Sequence, residues 1–289
     1  MMQMVLILKH NEQHTFLGKK TAMSIANVNG VNLSFTVQGS GDWLVLIGGY
    51  ASSNWQSWGN ILLELSKSYK VLAFDNRGIA GSDVPDYPYT TPMLADDVLG
   101  LMDHLHIDKA RILGKSMGGS IAQWVTLKQP NRVQCLAMTS TTSRLDARAK
   151  KMVTWWIATA RKCGYEALFP GELTYFYTAD FYDKNPQLIQ KAEDALINVH
   201  RPIEGFANMG HALIHHDTAD LLHKIEVPTL LICGEDDMIT PSAHTIEMAR
   251  KIKNSEVHII PKTLHGVLSE KPETFSLITE FFIKNGSMR

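Results

Sequence analysis

The sequence predicts an α/β fold: a mostly parallel, doubly wound sheet with helices on both faces and an inserted helical cap. From Ser24 onward, short strand-like runs alternate with segments of helical period. Most of these runs are apolar throughout rather than alternating, as strands covered on both faces are. The alternation breaks once, from about Arg144 to His223, where helical segments and turn residues such as Pro170 and Gly171 replace strands.

The elements follow in order. Asn27 to Gln38 alternates around Asn29 and Gly30, a hairpin signal. Trp43 to Ile47 and Lys70 to Phe74 read as buried strands, and Trp55 to Leu65 and Pro92 to Leu105 as helices. An apolar run ending at Ala110 to Leu113 is a strand, and Gly119 to Leu127 a helix with small residues on its first turn. Val133 to Met138, Thr229 to Cys233 and Val257 to Ile260 are further strands. Helices from Ser242 to Ile252 and Pro272 to Ile283 follow the last two. The domain division is then 1–22 as an extension that fits no pattern, 23–143 and 224–289 as the core, and 144–223 as the cap.

Composition narrows the function. Apolar residues make up 45% of 289, ample for a packed core, and a net charge of −1 argues against nucleic acid or membrane surfaces as partners. Cys135, Cys163 and Cys233 are odd in number and far apart. They predict ordinary buried thiols and a reducing, cytoplasmic location. No apolar run approaches a membrane span, and Met4 to Leu8 is short and lacks basic residues ahead of it, a poor signal peptide.

The chemistry is carried by residues 114–118, Gly-Lys-Ser-Met-Gly, placed between a strand and a helix. A sharp turn there pushes the Ser116 hydroxyl above the sheet edge and needs near side-chain-free neighbours, which Gly114 and Gly118 supply. A serine nucleophile needs a histidine base oriented by a carboxylate, and on such sheets the chain order is Ser, acid, His. His265 follows the strand ending at Ile260, and Asp236 and Asp237 follow the one ending at Cys233, so both sit at the edge that carries Ser116. Backbone N–H donors for an oxyanion are expected at Met117 and at Tyr50, where Gly48 and Gly49 let the main chain come close to a substrate.

These pieces resemble the α/β-hydrolase superfamily, in its lidded esterase, enol-lactonase and carbon–carbon hydrolase branch. The resemblance runs from about Met23 to Phe282. It rests on residues 46–53 (Leu-Ile-Gly-Gly-Tyr-Ala-Ser-Ser), 75–82 (Asp-Asn-Arg-Gly-Ile-Ala-Gly-Ser), 114–119 and 234–241 (Gly-Glu-Asp-Asp-Met-Ile-Thr-Pro), and on His265 with 270–275 (Glu-Lys-Pro-Glu-Thr-Phe). It implies Asp237 rather than Asp236 as the acid, and Arg77 and Ser82 as structural residues of a loop near the site. It further implies a serine hydrolase that cleaves a small ester, lactone or thioester through an acyl-enzyme and needs no cofactor. Alternatives are a carbon–carbon bond hydrolase, a carrier-linked acyl methyl esterase and, in another class, a ligand receptor on the same fold. The chain departs from the pattern at Gly48, where relatives carry His, at Ala80, where they carry Gly, and at Lys115.

The inserted segment holds ten of the 24 aromatic residues, which predicts a lid lining an apolar pocket, with Gly49 and Trp156 as candidate pocket residues. Its first helix, near Arg144 to Lys162, puts Arg144, Arg148, Lys151 and Lys162 on one face and Ala149, Val153, Trp156 and Ala160 on the other. The basic face could dock an acyl-carrier or CoA-linked substrate, although a solvated face is the simpler reading. His211 and His215 are spaced to hold a metal on one helix face, but no third ligand is placed and none is expected.

Overall fold

The structure is a computed structural model that describes residues 23–286; the expected extension 1–22 lies outside the described residues. Eight strands form one sheet: β1 (Ser24–Val28), β2 (Val31–Gln38), β3 (Trp43–Ile47), β4 (Lys70–Phe74), β5 (Ala110–Lys115), β6 (Val133–Thr139), β7 (Thr229–Gly234) and β8 (Ser255–Ile260). Their order is β1-β2-β4-β3-β5-β6-β7-β8, with β1, β2 and β4 paired antiparallel and every later pair parallel. The chain therefore winds outward from β3 in both directions. Such a sheet opens a crevice where the direction reverses, at the carboxyl ends of β3 and β5.

The strands are covered on both faces, as their unbroken apolar runs require. Leu44 and Leu46 of β3 pack in one core cluster and Val45 and Ile47 in the other. In β4, Val71 and Ala73 face one side and Leu72 and Phe74 the other. The β1–β2 hairpin turns through Asn29 and Gly30 at φ 51° and 76°, the positive values a two-residue hairpin loop needs.

Helices α1 (Asn54–Leu65), α2 (Thr91–His104) and α3 (Met117–Lys128) follow β3, β4 and β5. Between β6 and β7 lie α4 (Ala147–Cys163), α5 (Tyr165–Leu173), α6 (Ala179–Lys184), α7 (Pro186–Ile197) and α8 (Ile203–Ile214). Then come α9 (Ser242–Lys251), the single-turn α10 (Val267–Glu270) and α11 (Thr274–Lys284). No described helix is long and apolar enough to cross a membrane.

Local chemistry explains where boundaries moved. Helix α2 starts one residue early because the Thr90 side chain accepts from Met93 N. Helix α4 starts at Ala147 because Asp146 caps it, its Oδ1 accepting from Ala149 N at 2.7 Å. The final helix begins at Thr274 rather than Pro272: proline cannot continue α10, and a turn closes instead through Thr274 N donating to Lys271 O. One expectation fails. Cys135 and Cys233 are buried, but Cys163 is exposed. It is the last residue of α4, beyond the stretch Ala149, Val153, Trp156 and Ala160 that the helix buries.

The segment between β6 and β7 leaves and returns at one place. Arg144 and Asp217 form an antiparallel bridge and an ion pair at 2.9 Å, and Thr218 N donates to Ser143 O at 2.9 Å. On the other side of the crevice, Arg77 anchors the loop after β4. Its Nε and Nη2 each reach the Asp97 carboxylate at 2.6 Å, with both residues almost wholly buried. Removing one partner strands a buried charge, so Asp97→Ala is expected to cost about 3–5 kcal/mol in urea denaturation. An unchanged unfolding midpoint would contradict this reading of the loop.

Candidate active site

The site starts from a strained backbone. Ser116, between β5 and α3, has φ 54° and ψ −123°, a conformation that residues with a side chain avoid. Neighbours hold it there: Ser116 N donates to Thr139 O at 2.9 Å, and Thr141 Oγ1 donates to Ser116 O at 2.8 Å. The flanking glycines are required by contact. A Cβ on Gly118 would sit 2.0 Å from Ile47 O, and one on Gly114 2.5 Å from Gly118 O.

The structure brings Ser116, His265 and Asp237 together in a line. His265 Nε2 lies 3.0 Å from Ser116 Oγ, and its Nδ1 lies 2.8 Å from Asp237 Oδ2. The loop after β7 aims the carboxylate: Oδ1 accepts from Ile239 N at 2.8 Å and Thr240 N at 2.9 Å, and Oδ2 accepts from Thr240 Oγ1 at 2.9 Å. Burial pushes the Asp237 carboxyl up, but His265 and the bonds from Thr240 outweigh it and hold the group below the usual carboxylate range. An ionised Asp237 only accepts, so Nδ1 of His265 carries the proton and Nε2 is left to accept from the Ser116 hydroxyl. The His265 carbonyl takes a bond from Ser140 Oγ at 2.8 Å, and Phe176 packs its ring edge-on to the imidazole at 5.0 Å. Asp236 is exposed, and the carboxylate that meets His265 is that of Asp237.

The loop after β3 passes close beside Ser116. A Cβ on Gly49 would lie 3.5 Å from both Ser116 Cβ and Lys115 O, so the backbone entering Tyr50 runs at contact distance from the serine. Met117 N is the first N–H of α3 and has no acceptor within the helix. At Gly48 a Cβ would lie 2.7 Å from Ser57 Oγ, so a side chain there would require Ser57 to shift.

The inserted segment is hydrogen-bonded to the same loop. Tyr50 Oη donates to Phe206 O at 2.9 Å, and its ring lies near Phe206 and Trp156 with centroids 4.7 and 6.3 Å away. Arg201 Nε donates to Ala51 O at 2.7 Å, and its guanidinium lies over Phe169 and Tyr165 at 4.6 and 5.1 Å. Lys115 turns away from the serine: its Nζ donates to Ser57 O at 3.1 Å, and burial lowers its pKa to about 8.

A cavity of about 180 Å³ opens on this arrangement, with Gly49, Tyr50, Ser116, Trp156, Glu172 and His265 in its wall. Glu172, Arg201 and Phe206 escaped sequence reasoning because each is an isolated residue in no motif. The aromatic enrichment of the segment was the only signal pointing towards them. Burial raises the Glu172 carboxyl to about pH 7, with the Arg201 charge pulling the other way. His211 and His215 gather no further ligands among the described residues: each Nδ1 lies near a backbone carbonyl, of Tyr89 and His211 respectively. Of the basic face, Arg144 is paired with Asp217 and Arg148 bonds to Met238 O.

Residues 42–272 match the family model described as alpha/beta hydrolase fold. The chain is 28% identical over 259 residues to 3-oxoadipate enol-lactonase 2 of Acinetobacter baylyi, covering 88% of this chain and 94% of that protein. The crystal structure of the enol-lactonase from Burkholderia xenovorans superposes with a TM-score of 0.83 at 27% identity, covering 90% of this chain and all (100%) of that one. A thermophilic esterase from Thermogutta terrifontis gives 0.83 at 26% identity, covering 92% and 100%.

Glu172 gives the stability a pH signature. An unfolded glutamate releases its proton near 4.5, whereas the folded one holds it to about 7. Between those values the folded state binds more protons, so stability falls as pH rises through the window. Glu172→Gln removes that slope, and urea melts are expected to favour the variant increasingly from about pH 5 to about pH 8. Parallel stability curves would contradict the burial of an ionisable group here.

Proposed function

Because the chain belongs to the α/β hydrolase family, we propose that it cleaves a small ester or lactone by acyl transfer to Ser116. The line of contacts from Ser116 Oγ through His265 to Asp237, on the wall of a cavity, carries this reading. Ser116 Oγ attacks the carbonyl carbon as His265 Nε2 takes the hydroxyl proton. Asp237 keeps the ring in the tautomer with Nδ1 protonated and stabilises the imidazolium that forms. The N–H groups of Met117 and Tyr50 bind the oxyanion of the tetrahedral intermediate. His265 then protonates the leaving oxygen, and water, activated by the same nitrogen, releases the acid.

Relatives named as enol-lactonases and as an esterase support an ester-like bond. The cavity supports a small acyl group, since an engineered cavity of about 150 Å³ accommodates benzene. In this reading residues 144–223 act as the lid, and their aromatics shape the pocket over Ser116. The engagement of Arg144 and Arg148 within the chain favours a small substrate over a carrier-linked one.

Ser116→Ala is expected to abolish turnover of short acyl esters and lactones while leaving the fold intact. Asp237→Asn is expected to lower kcat by roughly 10⁴, the effect of the same change in a serine protease triad, and Asp236→Asn to change it little. Steady-state kinetics on esters and lactones of graded acyl length checks both. The reverse ranking of the two aspartates would refute the assignment, and absence of turnover across the series would favour a ligand receptor.

A further inference from the structure

Glu172 is the only acidic side chain among the described residues that line the Ser116 cavity. It sits on α5 beside Phe169 and Leu173, in a wall built largely of aromatic and aliphatic groups. The residue is 9% exposed, and its Oε2 is buried without a hydrogen-bond partner. Trp156, on the same cavity wall, buries its Nε1–H without an acceptor. Neither group takes part in the chemistry proposed for Ser116. Buried polar atoms without partners are rare because each costs free energy, and in a ligand cavity the missing partner is supplied by the ligand.

We propose that Glu172 and Trp156 form the specificity subsite of this cavity and recognise a neutral hydroxyl on the acyl chain of the substrate. The inference rests on the acyl-transfer reading of the site and names the substrate class within it. A hydroxyl both donates and accepts, so it can serve the carboxyl oxygen as well as the indole N–H. Above about pH 7, where Glu172 is ionised, a substrate carboxylate would only accept and would be repelled by a like charge. An ammonium would only donate, and it would enter a pocket where the Arg201 charge already acts on Glu172. An unsubstituted alkyl chain would leave both protein groups desolvated and unpaired.

The test measures binding without turnover. Affinities of wild-type protein for butyramide, 3-hydroxybutyramide and 4-hydroxybutyramide are measured by calorimetry at about pH 8, above the Glu172 transition, and again for Glu172→Leu, Glu172→Gln and Trp156→Phe. At least one hydroxylated amide is expected to bind wild-type protein about tenfold or more tighter than butyramide. The preference is expected to fall to near unity in Glu172→Leu and to an intermediate value in Glu172→Gln and Trp156→Phe. Leucine replaces a buried carboxyl whose Oε2 has no partner, so a folded variant is expected, and Glu172→Gln serves if it is not. Equal affinity of wild-type protein for all three amides, no binding of any, or a preference that survives Glu172→Leu would overturn the proposal. Amides bypass ester turnover, so the two readings fail separately. A hydroxyl preference without ester cleavage would refute the acyl-transfer reading alone, and ester cleavage without the preference would refute this one.

Discussion

Two chain segments cross at contact distance where the sheet reverses direction, and the site depends on that crossing. The end of β3 runs against the first turn of α3 so closely that Gly118 has no space for a methyl group beside Ile47 O. The approach fixes Ser116 in a backbone conformation that costs of order 1–3 kcal/mol. Bonds from Thr141 and to Thr139, and the buried strands on either side, offset that cost. The same approach places the loop after β3 beside the serine hydroxyl. The candidate nucleophile and the candidate oxyanion donors are thus set by one packing contact rather than by separate devices.

The rest of the site hangs on loops at the carboxyl edge, each fixed by its own hydrogen bonds. The turn after β7 points three donors, from Ile239 and Thr240, at the Asp237 carboxylate before His265 adds a fourth. Arg201 and Tyr50 tie the inserted helices to the loop after β3. A shift of those helices would therefore be felt at the backbone beside Ser116. That coupling gives the insert a physical route to influence reactivity as well as pocket size.

The sheet and the sharp strand-to-helix turn at Ser116 were legible because they rest on local signals. Unbroken apolar runs mark covered strands, and glycines two positions from a serine mark a close crossing. Between Asp236 and Asp237 spacing alone was ambiguous, since both follow the same strand; the choice came from family resemblance. In the structure it reflects which carboxylate the Ile239 and Thr240 amides can reach. Glu172 and Arg201 were illegible for a different reason. Arg201 meets Ala51 across 150 positions of chain, and nothing in the flanking sequence of either residue encodes that contact. Cys163 shows the limit of counting cysteines, since their number and spacing do not say where the covered face of a helix ends.

The central claim is that Ser116 is a nucleophile activated by His265. The most direct test is the rate and position of covalent labelling by a fluorophosphonate, read by peptide mass spectrometry on wild-type protein and on His265→Ala. The account predicts a single adduct on Ser116 that forms at least about a hundredfold more slowly when the base is removed. An adduct on another residue, or equal labelling rates in the two proteins, would contradict it.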